Sequence, residues 1–163
     1  MTDFILDDDG IPMPLNHRVR AVLLTRERKL LLVKRIREGR APYYVTPGGG
    51  VEPEDENFEE ALKRELLEEL GAEADILHEV FLTEHPGIGE LTGFWVQQHY
   101  YLCHLHGYDL TRRSGPEFLD PSRGAYIPEV FPIRAGALES VTLDPPDLKR
   151  FLQEQLPILV ANL

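Results

Sequence analysis

An α/β domain is what this chain predicts, on three observations. Residues from about Asp55 to Leu70 carry helical periodicity and stop at Gly71. Strand-like apolar runs lie on both sides of that segment, and a closing helix is expected near Pro145-Pro146. At 163 residues the chain is of single-domain size and long enough for a sizeable core. The expected organisation is a lead-in over residues 1–15, mobile or at a sheet edge, followed by one domain over 16–163.

Taken in order, Met1 to Leu15 contains Asp7-Asp8-Asp9-Gly10 and two prolines. It lacks the spaced ligands and later glutamate of a calcium loop. His17–Thr25 and Lys29–Arg35 read as two strands around an Arg26-Glu27-Arg28 turn. Ile36–Pro42 reads as a basic loop, and Tyr43–Thr46 as a short strand running into Gly48-Gly49-Gly50. After the helix, Ala74–Glu84 and Phe94–His106 are strand-like, separated by Pro86-Gly87-Ile88-Gly89. Gly107–Ala125 is a long polar loop, a length that is often functional in a compact domain. Tyr126–Ile133 is a final strand, and Asp144 is the expected N-cap of the closing helix. No internal repeat or low-complexity tract interrupts this order.

The central helix carries the chemistry. At about 100° per residue, Phe58, Leu62 and Leu66 centre an apolar stripe flanked by Ala61 and Leu70. Glu69 falls almost on that stripe, Glu65 within about 60° of its centre, and Glu68 at its edge. A solvated acidic face would lie opposite, as Glu60 and Arg64 largely do. Glu65, Glu68 and Glu69 also stand at i, i+3 and i+4, so three carboxylates crowd one patch. Crowded, half-buried carboxylates need a compensating cation, and Mg2+ is a hard ion that prefers oxygen ligands. The glycine triplet just ahead lets a main-chain carbonyl approach an ion or a phosphate.

The formal net charge is −11 and unevenly spread. Residues 52–73 hold ten acids against Lys63 and Arg64, whereas residues 16–40 hold nine Lys and Arg against Glu27 and Glu38. An acidic chain with a local basic segment is a poor generic binder of nucleic-acid duplexes. It suits a site with metals on one wall and bases on another, holding a small phosphorylated molecule. The single cysteine, Cys103, excludes an internal disulfide framework and fits a reducing compartment. With no signal-like N-terminus and no apolar run of spanning length, a cytoplasmic protein without membrane partners is expected.

Residues 50–72 read GVEPEDENFEEALKRELLEELGA. Gly50, Glu56, Arg64-Glu65-Leu66, Glu68-Glu69 and Gly71-Ala72 are similar to the signature of the Nudix hydrolase family, G-x5-E-x7-R-E-U-x-E-E-x-G-U, where U is a bulky aliphatic. The segment from Pro47 to Glu56 is one residue longer than the common P-G-G-x-x-E-x-G-E, which leaves Gly49 or Gly50 as the functional glycine. Thr46 stands where leucine is frequent, and Ala72 is smaller than usual. No charged group of the signature is missing.

The resemblance implies an α/β/α sandwich with a mixed sheet and a catalytic helix after a Gly-rich loop. It also implies hydrolysis of a nucleoside diphosphate linked to another group X, by water attack at phosphorus. Glu65, Glu68 and Glu69, with the Gly50 carbonyl, would hold Mg2+, with Mn2+ as a substitute. Glu65 is a candidate to orient or deprotonate the water, and Arg64 to orient the carboxylates. Relatives often use another glutamate from a late loop; Glu117 is the first choice here and Glu129 the second. Arg20 and Arg35 are the phosphate-contact candidates, and Tyr43 and Tyr44 either stack on a base or belong to the core. The expected partner is a nucleotide-type substrate; homodimers are common in the family, and the sequence leaves open whether this chain forms a homodimer.

His104 and His106 share a strand face but lack a third zinc ligand, and Cys103 lacks a base beside it. Pro86 lies where some ADP-ribose-cleaving relatives carry a proline, although a turn explains it equally well. The competing readings are a Nudix-like binding domain without turnover and an unrelated phosphate-binding protein. The intact set of acids opposes the first, and the glycine triplet with its helical spacing opposes the second.

Overall fold

The structure is a computed structural model that describes residues 3–163. Its strands are β1 (Phe4–Leu6), β2 (Pro12–Leu24), β3 (Leu30–Arg37), β4 (Arg40–Val45), β5 (Gly48–Gly50), β6 (Ala72–Pro86), β7 (Trp95–Tyr108) and β8 (Ala125–Phe131). Helices α1 (Phe58–Leu70), α2 (Pro146–Glu154) and α3 (Leu156–Ala161) complete it. The strand order is β4-β3-β2-β7-β6, with β1 and β5 paired to β2 and β8 paired to β3. The β2–β7 pair is parallel and the others are antiparallel, so the sheet is mixed.

Period-two alternation sorts β2 and β3 into two cores. Val19, Ala21, Leu23, Leu31 and Val33 pack with Ala61, Leu62, Leu66 and Leu70 of α1. Val22, Leu24, Leu30 and Leu32 pack with Leu148 and Leu152 of α2 and Leu156 of α3. Both faces of the central strands are covered, which is why they read as unbroken apolar runs. The result is the expected α/β/α sandwich. Leu66 is fully buried in the α1 core. Leu66→Ala is therefore expected to cost about 2–5 kcal/mol in a urea titration.

Several boundaries differ from expectation. Asp7 Oδ1 accepts from the amides of Asp9 (2.9 Å) and Ile11 (2.8 Å), turning the chain so that β1 pairs with Pro12–Pro14 of β2. The expected lead-in also includes Met1 and Thr2, which lie outside the described residues. The basic loop expected over Ile36–Pro42 is instead a hairpin, because β3 and β4 pair up to Arg37↔Arg40. The glycine triplet is a strand, β5, rather than a loop. Gly48 has φ 147°, and a Cβ there would lie 2.0 Å from the Val19 carbonyl oxygen, so only glycine lets β5 approach β2.

Helix α1 starts at Phe58 rather than near Asp55. Asn57 is its N-cap, accepting from the Glu60 amide at 2.8 Å, while Asp55 accepts from the Glu52 amide in a preceding turn. Gly71 closes the helix in the left-handed conformation. Asp144 does not cap α2: Pro145 holds that position without a side-chain bond, and Asp144 pairs with Arg40 at 2.7 Å. The long loop after β7 contains three short 3-10 turns, Leu110–Arg112, Pro116–Leu119 and Pro121–Arg123. Among the described residues no helix is long and apolar enough to cross a membrane.

Candidate active site

The sheet forks at one end, and the site lies in the fork. β2 pairs with β3 only at Leu23↔Leu31 and Leu24↔Leu30; beyond that β2 takes β5 while β3 takes β4. A cavity of about 420 Å³ opens between them. Arg18 and Arg20 of β2, Arg35 of β3 and Arg123 from the long loop line it, facing Glu65 and Glu69 of α1 and Glu117. Gly48–Gly50 and the Tyr43 and Tyr126 rings complete the wall. A second cavity of about 340 Å³ shares Arg20, Val45 and Asp144 with it and is bounded by His85, Ile88, Gln98 and Tyr100. A wider groove of about 590 Å³ between β6 and α2 is open to solvent and holds none of these carboxylates or the glycine strand.

Glu69 is only 5% exposed, as its place on the apolar stripe predicts. Its carboxylate accepts from the Gly48 amide at 3.0 Å. Burial pushes its pKa up to about 7; the Gly48 bond and Arg20 oppose this, while Glu65 and Glu117 add to it. Burial also raises Glu65, against the pull of Arg64. A Cβ on Gly49 would meet the Glu65 carboxylate at 2.5–2.6 Å, so the triplet leaves space that this carboxylate uses.

Arg64 ties the acidic segment together without lining the cavity. It grips Asp55 through Nε (3.0 Å) and Nη2 (2.9 Å), and donates from Nη1 to Glu65 (3.1 Å) and Glu68 (3.2 Å). Its Nη2 also donates to the Gly50 carbonyl at 3.0 Å, which leaves that oxygen a second lone pair. Glu68, with a side chain 32% exposed, stands outside the cavity lining. Among the described residues no group of three or more His, Cys, Asp and Glu side chains is drawn together as a metal cage. The carboxylates are turned instead toward Arg64 and the Gly48 amide. The donor set nevertheless fits a hard divalent ion: the donors are all oxygens, and Glu69 is buried beside Glu65 and Glu117, which repel it.

Arg20 donates to Gln98 Oε1 at 2.9 Å and to the Thr46 and Gly48 carbonyls at 3.3 Å, standing between the two cavities. Arg35 lies over the Tyr126 ring at 3.6 Å and donates to the Ala125 carbonyl at 3.3 Å. Tyr43 lines the cavity beneath Arg40, whereas Tyr44 packs in the α2 core and donates to Glu129 at 2.7 Å. Glu129, also 3.9 Å from Lys34, does not reach the cavity. His106 pairs with Asp75 at 3.0 Å, and burial pushes the Cys103 thiol up to about 12. Sequence reasoning missed Arg18 and Arg123. Arg18 is two residues from Arg20 and so shares its strand face, a readable signal; Arg123 sits in a loop and had none.

The NUDIX domain family model matches residues 15–145, well over half of the chain. The chain belongs to the NUDIX family and is a Nudix hydrolase, an enzyme of pyrophosphate bonds. Its fold is similar to that of a NUDIX hydrolase from Nitrosomonas europaea, with 22% identity, 83% of this chain and 84% of that one covered, and a TM-score of 0.63. The E. coli ORF135 protein is similar at 26% identity, with 92% and 94% covered and a TM-score of 0.60. A MutT NUDIX hydrolase from Burkholderia pseudomallei is similar at 24% identity, with 87% and 98% covered and a TM-score of 0.54. No curated protein matches the sequence.

Proposed function

We propose that residues 16–163 form one Mg2+-dependent pyrophosphohydrolase domain, cytoplasmic, that cleaves a nucleoside diphosphate linked to another group X. The observation that carries this reading is one cavity in which the buried Glu69 and the partly buried Glu65 and Glu117 share the lining with four arginines. Carboxylates alone would repel a polyphosphate and arginines alone would hold it unreacted; a divalent ion between them reconciles the two walls. Glu65, Glu68 and Glu69, with the Gly50 carbonyl, would hold Mg2+, for which Mn2+ substitutes. The ion would supply Lewis-acid neutralisation of phosphate charge.

The remaining work falls to the chain. Arg35 and Arg20 orient the phosphates, helped by Arg18 and Arg123. Glu117 and Glu65, which line the same cavity, are the proton acceptors for the attacking water. The adjoining 340 Å³ cavity receives the group beyond the phosphates. A small phosphorylated molecule fits these dimensions, and a nucleic-acid duplex does not.

The test is incubation with Mg2+ and a panel of nucleoside diphosphate derivatives in 18O-labelled water, with products read by mass spectrometry. Cleavage between phosphates with one 18O incorporated is expected, and Glu68→Gln is expected to lower the rate at least about a hundredfold. Cleavage elsewhere, or undiminished cleavage by the variant, would overturn the assignment.

A further inference from the structure

We propose that Arg113 is a positioning residue for the hydrolysis: it docks the loop carrying Glu117 onto the C-terminal end of α1 and so sets Glu117 opposite Glu65 and Glu69. This rests on Glu117 acting in the chemistry, as proposed above. A helix leaves the carbonyls of its last turn without partners, and the loop supplies several of them here. Arg113 Nε donates to the Glu69 carbonyl at 2.8 Å, and the Ser114 amide to the Glu68 carbonyl at 3.1 Å. The Asp109 amide reaches the Gly71 carbonyl at 3.1 Å. A guanidinium at this end also complements the negative pole of the helix.

The other side of the same guanidinium binds the opposite end of the loop. Arg113 Nη2 donates to the Tyr126 carbonyl at 2.6 Å, where β8 begins, and the guanidinium lies 4.6 Å from the Phe118 ring centre. Phe118 in turn meets Tyr126 edge-on, with ring centres 5.0 Å apart. Arg113 thus bridges α1, the segment beside Glu117 and β8 at once. Among the described residues Glu117 accepts no side-chain hydrogen bond that would place it independently, so its position is inherited from the loop. Its carboxylate folds back to within 2.6 Å of where a Cβ of Gly115 would stand. Lysine cannot reproduce the span, because one ammonium cannot reach both carbonyls in the fixed geometry of a guanidinium.

The experiment compares Arg113→Ala, Glu117→Gln and the double variant as full chains, on the panel substrate that the wild type cleaves fastest. Hydrogen exchange of the metal-free proteins is measured in parallel. Arg113→Ala is expected to lower kcat about 10- to 100-fold with KM little changed. The double variant is expected to be no slower than Glu117→Gln, because both substitutions remove the same contribution. Exchange is expected to quicken over residues 114–119 and not within α1. A wild-type rate for Arg113→Ala, fully additive losses in the double variant, or unchanged exchange would each overturn the proposal. A wild-type rate for Glu117→Gln would instead sink the role of Glu117 itself. If Arg113→Ala does not fold, Arg113→Lys is read by the same criteria.

Discussion

Glutamine in place of Glu69 will silence hydrolysis, yet in metal-free buffer at pH 8 it will raise the melting temperature. Burial raises the Glu69 pKa from 4.5 to about 7. The folded state therefore prefers the protonated form. That stability is fully present below about 4.5 and is lost as pH rises through about 7. At pH 8 the wild type carries a buried carboxylate at a cost on the order of 3 kcal/mol, which glutamine avoids. For a chain of this size that corresponds to about 5–10 °C. The difference should shrink as pH falls and vanish only below about 4.5, where Glu69 is protonated in the folded and the unfolded chain alike. Saturating Mg2+ should reverse the order at pH 8, stabilising the wild type and leaving the variant unmoved. Equal melting at pH 8 without metal would show that Glu69 is not held against its charge.

Arg64→Ala is the second large effect, and it strikes stability and activity together. The Asp55 side chain is only 7% exposed and has its two oxygens gripped by this guanidinium. Its removal leaves a nearly buried carboxylate without its cation and held only by the Glu52 amide, while Glu65 and Glu68 lose the same partner. The expected cost is about 3 kcal/mol in urea titration, with a higher Mg2+ concentration required for half-maximal rate. Arg64→Lys should recover part of the stability but not the fork onto Asp55, and so should remain short of wild-type rate. A variant as stable and as active as the wild type would remove Arg64 from both roles.

The central strands and α1 were legible because their signal is periodic. Leu30–Val33 and Ala21–Leu24 are apolar without a break, and Glu69 stands on an apolar stripe where a solvated acid would not. What escaped was set by neighbours. Three glycines have no strand preference of their own, and β5 exists because β2 offers it a ladder. Asp144 has the right chemistry for an N-cap, but Arg40 outcompetes the helix amides for it. Ile36–Pro42 looked like a loop because Gly39 and Pro42 punctuate it, yet pairing with β3 carries the strand through. Of the candidate site, spacing alone brought Glu65 and Glu69 to one cavity, whereas Glu68, read from the same spacing, stands outside its lining. Arg123 could not be placed, since nothing in a loop sequence fixes its distance from a strand 85 residues or more away.

The fork between β2 and β3 has a consequence for how such a protein can change. One tine, β2 with β5, is fastened to the acidic helix; the other, β3 with β4, ends at the Glu38-Gly39 bend, where a Cβ on Gly39 would meet no atom within 4 Å. Lengthening that bend would alter the tine that carries Arg35 and Tyr43 without touching β5 or the acidic helix. On the function proposed above, part of the substrate-gripping lining and the acidic helix sit on separable pieces of backbone, so a descendant could acquire a new diet without relearning its chemistry.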